Sequence, residues 1–194
     1  MTKANLSNNS KNRHFQITVI GGGLTGSLMT YILIKSKIVS KKDLCWINPN
    51  KSIKDDKRVS FYNYTNFQNL TQFGLSSFLK KEEINRINTI EVLNEKQKRP
   101  LSFRDNKGLG VICKNFVIQK LLSKESKNAT LINSKVIDSS VDEYQRILKL
   151  ENGQIISSNI VLAADGSNSP LRTLSNIKFF RHNLNHVAFN GYLN

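Results

Sequence analysis

Residues 15–26, FQITVIGGGLTG, constrain this chain more than any other stretch. A β-branched and aromatic run ends at glycines spaced Gly21, Gly23 and Gly26, and an apolar-striped segment follows. This pattern predicts a strand, a tight turn and a helix. Each glycine has its own reason: one forms the turn, one lets the backbone approach a pyrophosphate, and one lets the helix pack closely on the strand. The phosphates would sit on backbone N–H groups from Gly21, Gly22 and Gly23 into Leu24, Thr25 and Gly26, at the positive end of the helix. Three glycines at this spacing also occur in turns that bind nothing, so the flanks decide. Ile17, Val19 and Ile20 form a continuous apolar strand of the kind buried in a parallel sheet. Leu24, Leu28, Ile32 and Leu33 recur at helical spacing.

A second apolar run, DLCWI at residues 43–47, closes on Asn48, Pro49 and Asn50 and predicts the next strand of a βαβ unit. In dinucleotide-binding folds an acidic residue about 20 positions past the glycines hydrogen-bonds the ribose. Asn48 stands at that place; its amide can still accept and donate, but the usual carboxylate, one supporting element of the motif, is missing. The 39% hydrophobic content is enough for a folded globular chain. No apolar run approaches the roughly 18 residues of a spanning helix. Residues 1–14 are polar and rich in Asn, which predicts a floppy tail and neither a secretory signal nor an amphipathic transit helix.

The formal net charge of +15 would suit nucleic acid or an anionic membrane. Its basic residues are scattered and no nucleic-acid-binding signature appears, so no nucleic-acid partner is expected. Cys45 and Cys113 lie far apart in apolar contexts and predict reduced core thiols, in keeping with a cytosolic compartment.

Downstream, residues 51–75 predict a loop that enters a helix near Tyr64, with Phe67, Leu70 and Phe73 on one face and Gly74 as the stop. Residues 84–105 carry two alternating runs around the polar EKQK and predict a β-hairpin. Residues 108–122 predict a short strand, Asn115 as N-cap and an amphipathic helix. Residues 131–136 predict a strand, and residues 146–150 and 154–157 a hairpin around Asn152-Gly153. The run NIVLAA at 159–164 predicts a buried parallel strand delivering Asp165-Gly166. Alone, Asp-Gly followed by Ser is a turn and a helix cap. Ser167 and Ser169 lack the GxSxG elbow of a hydrolase. His182 and His186, four apart, could share a helix face as metal ligands, but no carboxylate lies nearby in sequence.

Three stretches together resemble the FAD-dependent aromatic-ring hydroxylases, in the branch that hydroxylates ubiquinone precursors: VIGGGLTGSLMTYIL, DDKRVSFYNYTNFQNLTQFGL and NIVLAADGSNSPLR. The resemblance implies an α/β, Rossmann-like FAD-binding domain with the beginning of a β-sheet substrate domain. Residues 15–83 and 107–180 would form the nucleotide domain, 84–106 a hairpin of the substrate sheet, and 181–194 a crossing into that sheet, cut short. It also implies that Arg58 lies against the flavin dinucleotide and Lys114 at the ribityl or phosphate region. Asp165, Gly166, Ser169 and Arg172 match the family's Asp-Gly signature. There Gly166 permits a backbone turn barred to bulkier residues, Asp165 accepts backbone hydrogen bonds, and Arg172 offers a planar cation to phosphate or to a docking nicotinamide cofactor.

The implied activity is ring hydroxylation with FAD, O2 and NADPH or NADH, the cofactor carrying the difficult chemistry and the protein an apolar, water-excluding pocket. No catalytic side chain is expected. The implied substrate is a small aromatic, with or without a polyprenyl tail, and implied associations are a membrane face or a quinone-biosynthetic complex. Relatives run to roughly twice this length, so the chain is expected to be an incomplete enzyme by itself. A reductase of the same superfamily, and a non-catalytic scaffold subunit, are the alternatives.

Overall fold

A computed structural model describes residues 13–50, 52–55, 57–93 and 99–187. The chain divides into two compact units, Met1–Ser52 with Glu125–Leu184 and Ile53–Lys124 with Asn185–Asn194. Residues 53–83 and 107–124 therefore group with the hairpin segment, a different division from the domain boundaries expected above.

The first unit is built on β1 (Arg13–Ile20), α1 (Leu24–Ser36) and β2 (Leu44–Ile47). To these it adds β8 (Thr130–Ile132), β9 (Val136–Asp142), β10 (Gln145–Leu150), β11 (Ile155–Ala163) and the short helix α4 (Pro170–Leu174). Its sheet has the order β8-β2-β1-β11-β10-β9. The first four strands are mutually parallel, and β10 and β9 are antiparallel additions. Pleating sends alternate residues to opposite faces. Val19, with its rung partners Trp46 and Leu162 and with Leu131 beyond, meets Leu33 of α1 in one core. Ile20, Ile47 and Ile132 share rungs in the other core, where Leu171 of α4 closes over them. This is the α/β architecture with a parallel sheet expected from the sequence.

Several local expectations need correction. Arg13 and His14 belong to β1, since their rungs with Ile156 and Ser157 extend the ladder into what the sequence predicted as tail. The other tail residues lie outside the described ones. The expected strand over 131–136 is two strands, because residues 133–135 turn the chain out of the parallel ladder. The two runs 154–157 and 159–164 are one nine-residue strand, antiparallel to β10 at its start and parallel to β1 throughout. It is not fully buried, for Asn159, Ile160 and Ala163 are exposed. The buried face of α1 holds Gly26, Ser27, Thr30, Tyr31 and Leu33, while Leu24, Leu28 and Ile32 are half-buried. Its hydroxyls tolerate burial because Ser27 Oγ and Thr30 Oγ1 donate to the carbonyls of Gly23 and Gly26, each at 2.9 Å.

The second unit holds β3 (Val59–Asn63), α2 (Tyr64–Gln72), β4 (Ile84–Ile87) and β7 (Gly110–Lys114). It also carries the hairpin strands β5 (Thr89–Val92) and β6 (Leu101–Arg104), and α3 (Asn115–Ser126), which runs to the unit's border. The stretch VSFYN was predicted as loop but is a strand, because β7, about 50 residues downstream, supplies its antiparallel partner. α2 ends as predicted, with Gly74 at φ +83°, and the Asn63 side chain caps its start by accepting from Asn66 N. The hairpin pairs as predicted, Ile90 with Phe103 and Val92 with Leu101, while its EKQK turn lies outside the described residues. Asn115 opens α3 without capping it, since its buried Oδ1 has no hydrogen-bond partner.

Candidate dinucleotide-binding site

The glycine turn sits where β1 leaves the sheet, between the ends of β2 and β11. Gly21 has φ +128°, and a Cβ there would overlap the Ala164 carbonyl. The Ala164 N–H donates to the Ile20 carbonyl at 2.7 Å. The early glycine turn and the late Asp165-Gly166 turn are therefore neighbours, joined through the last β1–β11 rung. A Cβ on Gly26 would overlap the Gly21 carbonyl oxygen, so the first turn of α1 presses directly on the loop. Both glycines are demanded by the protein itself.

Gly23 is not. It is the N-cap of α1 with φ −77° and ψ −175°, a conformation open to any residue, and no atom lies within 4 Å of where its Cβ would be. The open space is what a pyrophosphate approaching the backbone requires. Leu24 and Thr25 open α1, Leu24 half-buried and Thr25 exposed, and no acidic side chain stands in this first turn to oppose an anion. These residues fit the diphosphate of a dinucleotide such as FAD.

Asn48 ends β2 beside this loop and is 6% exposed. Its carboxamide fills the space that a Cβ on Gly22 would need, and its Oδ1 accepts from Asn50 N at 2.9 Å. Asn133 Nδ2 donates to its carbonyl at 3.0 Å. The amide thus braces the turn, and a side chain at position 22 would have to displace it.

The second turn is equally tied. Gly166 has φ +93° with open space where a Cβ would stand. Asp165 Oδ2 accepts from Leu171 N at 3.1 Å, and Ser169 Oγ accepts from Arg172 N at 3.0 Å. The carboxylate of the Asp-Gly pair fastens α4 to the end of β11. Arg172 donates to the Ser167 carbonyl at 2.7 Å and its guanidinium lies 3.9 Å over the Phe179 ring. Arg181, which no motif singled out, donates to the same carbonyl at 3.0 Å and to Asn168 Oδ1 at 3.0 Å. Only a folded chain could reveal it, because it comes from irregular chain beyond α4. Arg146, Asp165, Gly166, Leu171 and Arg172 line a concavity of about 590 Å³ on this side.

Arg58 and Lys114 belong to the second unit and are brought together there. The Arg58 carbonyl accepts from Asn115 N at 2.9 Å, and Lys114 pairs with Val59 on the adjacent rung. Both are exposed. Burial pushes the Cys45 thiol up to about 12, against a hydrogen bond with Thr18 and the charge of Arg13 that pull it down. Burial and the charge of Glu83 push Cys113 up to about 11. Both thiols are inert core groups at neutral pH. His182 and His186 lie in irregular chain, not on a helix, and among the described residues no cluster of metal-ligating side chains occurs. Nor is any helix among them long and apolar enough to cross a membrane.

No protein-family model matches this chain. The chain is similar to ubiquinone biosynthesis monooxygenase COQ6, mitochondrial, of Caenorhabditis elegans, at 23% identity over 89% of this chain and 42% of that protein. The Drosophila melanogaster protein of the same name matches at 23% identity over 90% of this chain and 40% of its own length. The chain thus spans less than half the length of these relatives. Among solved structures, PqsL of Pseudomonas aeruginosa, described as a probable FAD-dependent monooxygenase, superposes with a TM-score of 0.71 at 15% identity. The match covers 88% of this chain and 48% of PqsL. The resemblance to flavin-dependent hydroxylases carried by the three sequence stretches is thus repeated in sequence relatives and in fold.

Proposed function

We propose that this chain is the FAD-binding portion of a flavoprotein monooxygenase acting on an aromatic ring of a ubiquinone precursor. The observation that carries the reading is the pairing of Gly23, a glycine that nothing in the protein requires, with the Asp165-Gly166 turn fastened beside it. Gly21 to Gly26 would hold the diphosphate on backbone N–H groups, and Asn48, its amide turned into the glycine turn, would brace them. Asp165 and Gly166 shape the wall beside the diphosphate, with Arg172 supplying positive charge. Arg58 and Lys114 are assigned to the flavin-proximal part of the cofactor by their place in the family's motifs. Bound FAD, reduced by NADPH or NADH, would supply the oxygen chemistry. The chain's own residues bind and orient it, and no side chain of this stretch is assigned a proton-transfer role.

The similarity to COQ6 proteins supports a ring of ubiquinone-precursor type, with or without a polyprenyl tail. The charge of +15 is compatible with peripheral association with an anionic membrane face. Because the relatives are more than twice as long, hydroxylation by this stretch alone is not expected. The test is to purify the chain, record the visible absorbance of bound flavin, and follow its melting with millimolar FAD. A yellow protein, or one whose melting temperature rises with FAD, supports the reading. A colourless protein with an unmoved melting temperature removes it.

A further inference from the structure

Gly21, where the chain enters the glycine turn, is held from β2 on two sides. The Gly21 N–H donates to the Ile47 carbonyl at 2.9 Å, and the Gly21 carbonyl accepts from the indole Nε1 of Trp46 at 2.8 Å. The β1–β2 ladder ends at the rung Ile20–Ile47. The Gly21 carbonyl therefore lies past the last strand pairing and needs a donor from a side chain. Its oxygen is wedged against the first turn of α1, where a Cβ on Gly26 would overlap it, so it has little room to turn elsewhere. An unpaired buried carbonyl is costly, and the indole N–H removes that cost.

Trp46 is the only tryptophan of the chain and is 1% exposed. Its volume packs the core, but packing does not account for the indole N–H. Its rung partners Val19 and Leu131 are aliphatic, and its neighbour on the same face of β2 is Leu44. What a leucine or phenylalanine there would lack is the donor. A peptide unit is planar and trans, so the Gly21 carbonyl and the Gly22 N–H point in opposite directions along one rigid plane. Fixing the carbonyl toward the indole fixes where that N–H points.

We infer that Trp46 is the positioning residue of the phosphate-binding turn: its indole N–H sets the Gly21–Gly22 peptide plane and thereby the turn's affinity for the diphosphate of a dinucleotide. The inference rests on the FAD-binding reading above. It adds a residue that lies outside the assigned cofactor contacts and the family motifs and acts on them through the backbone of Gly21.

Two replacements test it. Trp46→Phe removes the donor and some volume. Growth of a tryptophan auxotroph on β-(benzothiophen-3-yl)alanine replaces the indole N–H by sulfur at nearly constant shape, and it alters position 46 alone because the chain has a single tryptophan. FAD dissociation constants and flavin-free melting temperatures are measured for both and for the unaltered chain. The expected result is binding about tenfold weaker in both, with both flavin-free proteins melting below the unaltered chain because the Gly21 carbonyl loses its donor, and Trp46→Phe lowest because it also loses volume. FAD binding unchanged in the sulfur analogue overturns the inference, whatever its melting temperature, and leaves the function standing. An unaltered chain that binds no FAD removes the function and the inference together.

Discussion

Gly23→Ala separates a glycine kept for a ligand from one kept for the fold. In the flavin-free protein two small terms oppose each other. Fewer unfolded conformations should stabilise the variant by about 0.4–1 kcal/mol, since φ −77° suits alanine. The preference for Gly over Ala at an N-cap should cost about 0.5–1 kcal/mol. No steric term enters, because nothing stands within 4 Å of the new methyl. The net change is near zero, and a residual of about 1 kcal/mol would move the melting temperature by only about 2–4 °C. With FAD the account differs. The methyl occupies the space a diphosphate needs, and losing one hydrogen bond to an ionised group costs about 1.5–3 kcal/mol, a weakening of about 10- to 150-fold. The assay is a FAD titration by flavin fluorescence beside a thermal melt of the flavin-free chain. Unchanged affinity, or a melting temperature lowered by about 10 °C or more without flavin, an effect well above that residual, would refute the reasoning.

Gly21→Ala and Gly26→Ala should behave oppositely and lower the flavin-free melting temperature, because their methyls collide with the Ala164 and Gly21 carbonyls; a melt decides. Asp165→Ala should lose the hold on Leu171 N and cost about 1–3 kcal/mol in chemical denaturation, whereas Asp165→Asn, which keeps an acceptor, should lose less. Stability should fall as pH climbs from about 9 toward 12. Cys45 stays protonated in the fold up to about 12, against an ordinary value of 9.0, so above pH 9 the unfolded chain sheds a proton that the folded one retains. Urea midpoints at pH 8 and pH 10 measure the fall, which should be shallower in Cys45→Ala.

Local signals made the first crossover legible. Three glycines, a β-branched strand and helical apolar spacing all concern residues within one turn of each other, and the structure keeps them together. The Asp165-Gly166 turn was legible for the same reason, an apolar strand ending on a residue pair suited to a sharp bend. Illegible were features set by distant partners. VSFYN becomes a strand only because β7 pairs with it. The buried face of α1 carries Ser27 and Thr30 because their hydroxyls bond within the helix, a satisfaction that apolar periodicity cannot register. Trp46 reaches Gly21, and Arg181 reaches Ser167, through strand register and irregular chain that no spacing rule encodes.

The central claim is that one nucleotide diphosphate meets the glycine turn beside the Asp165-Gly166 turn. Backbone amide NMR of the isotope-labelled chain during FAD titration tests it most directly. Saturable shifts at residues 21–26 and 165–166 together, absent with riboflavin, which lacks the diphosphate, are the predicted result. Shifts confined elsewhere, or equal shifts with riboflavin, would contradict it.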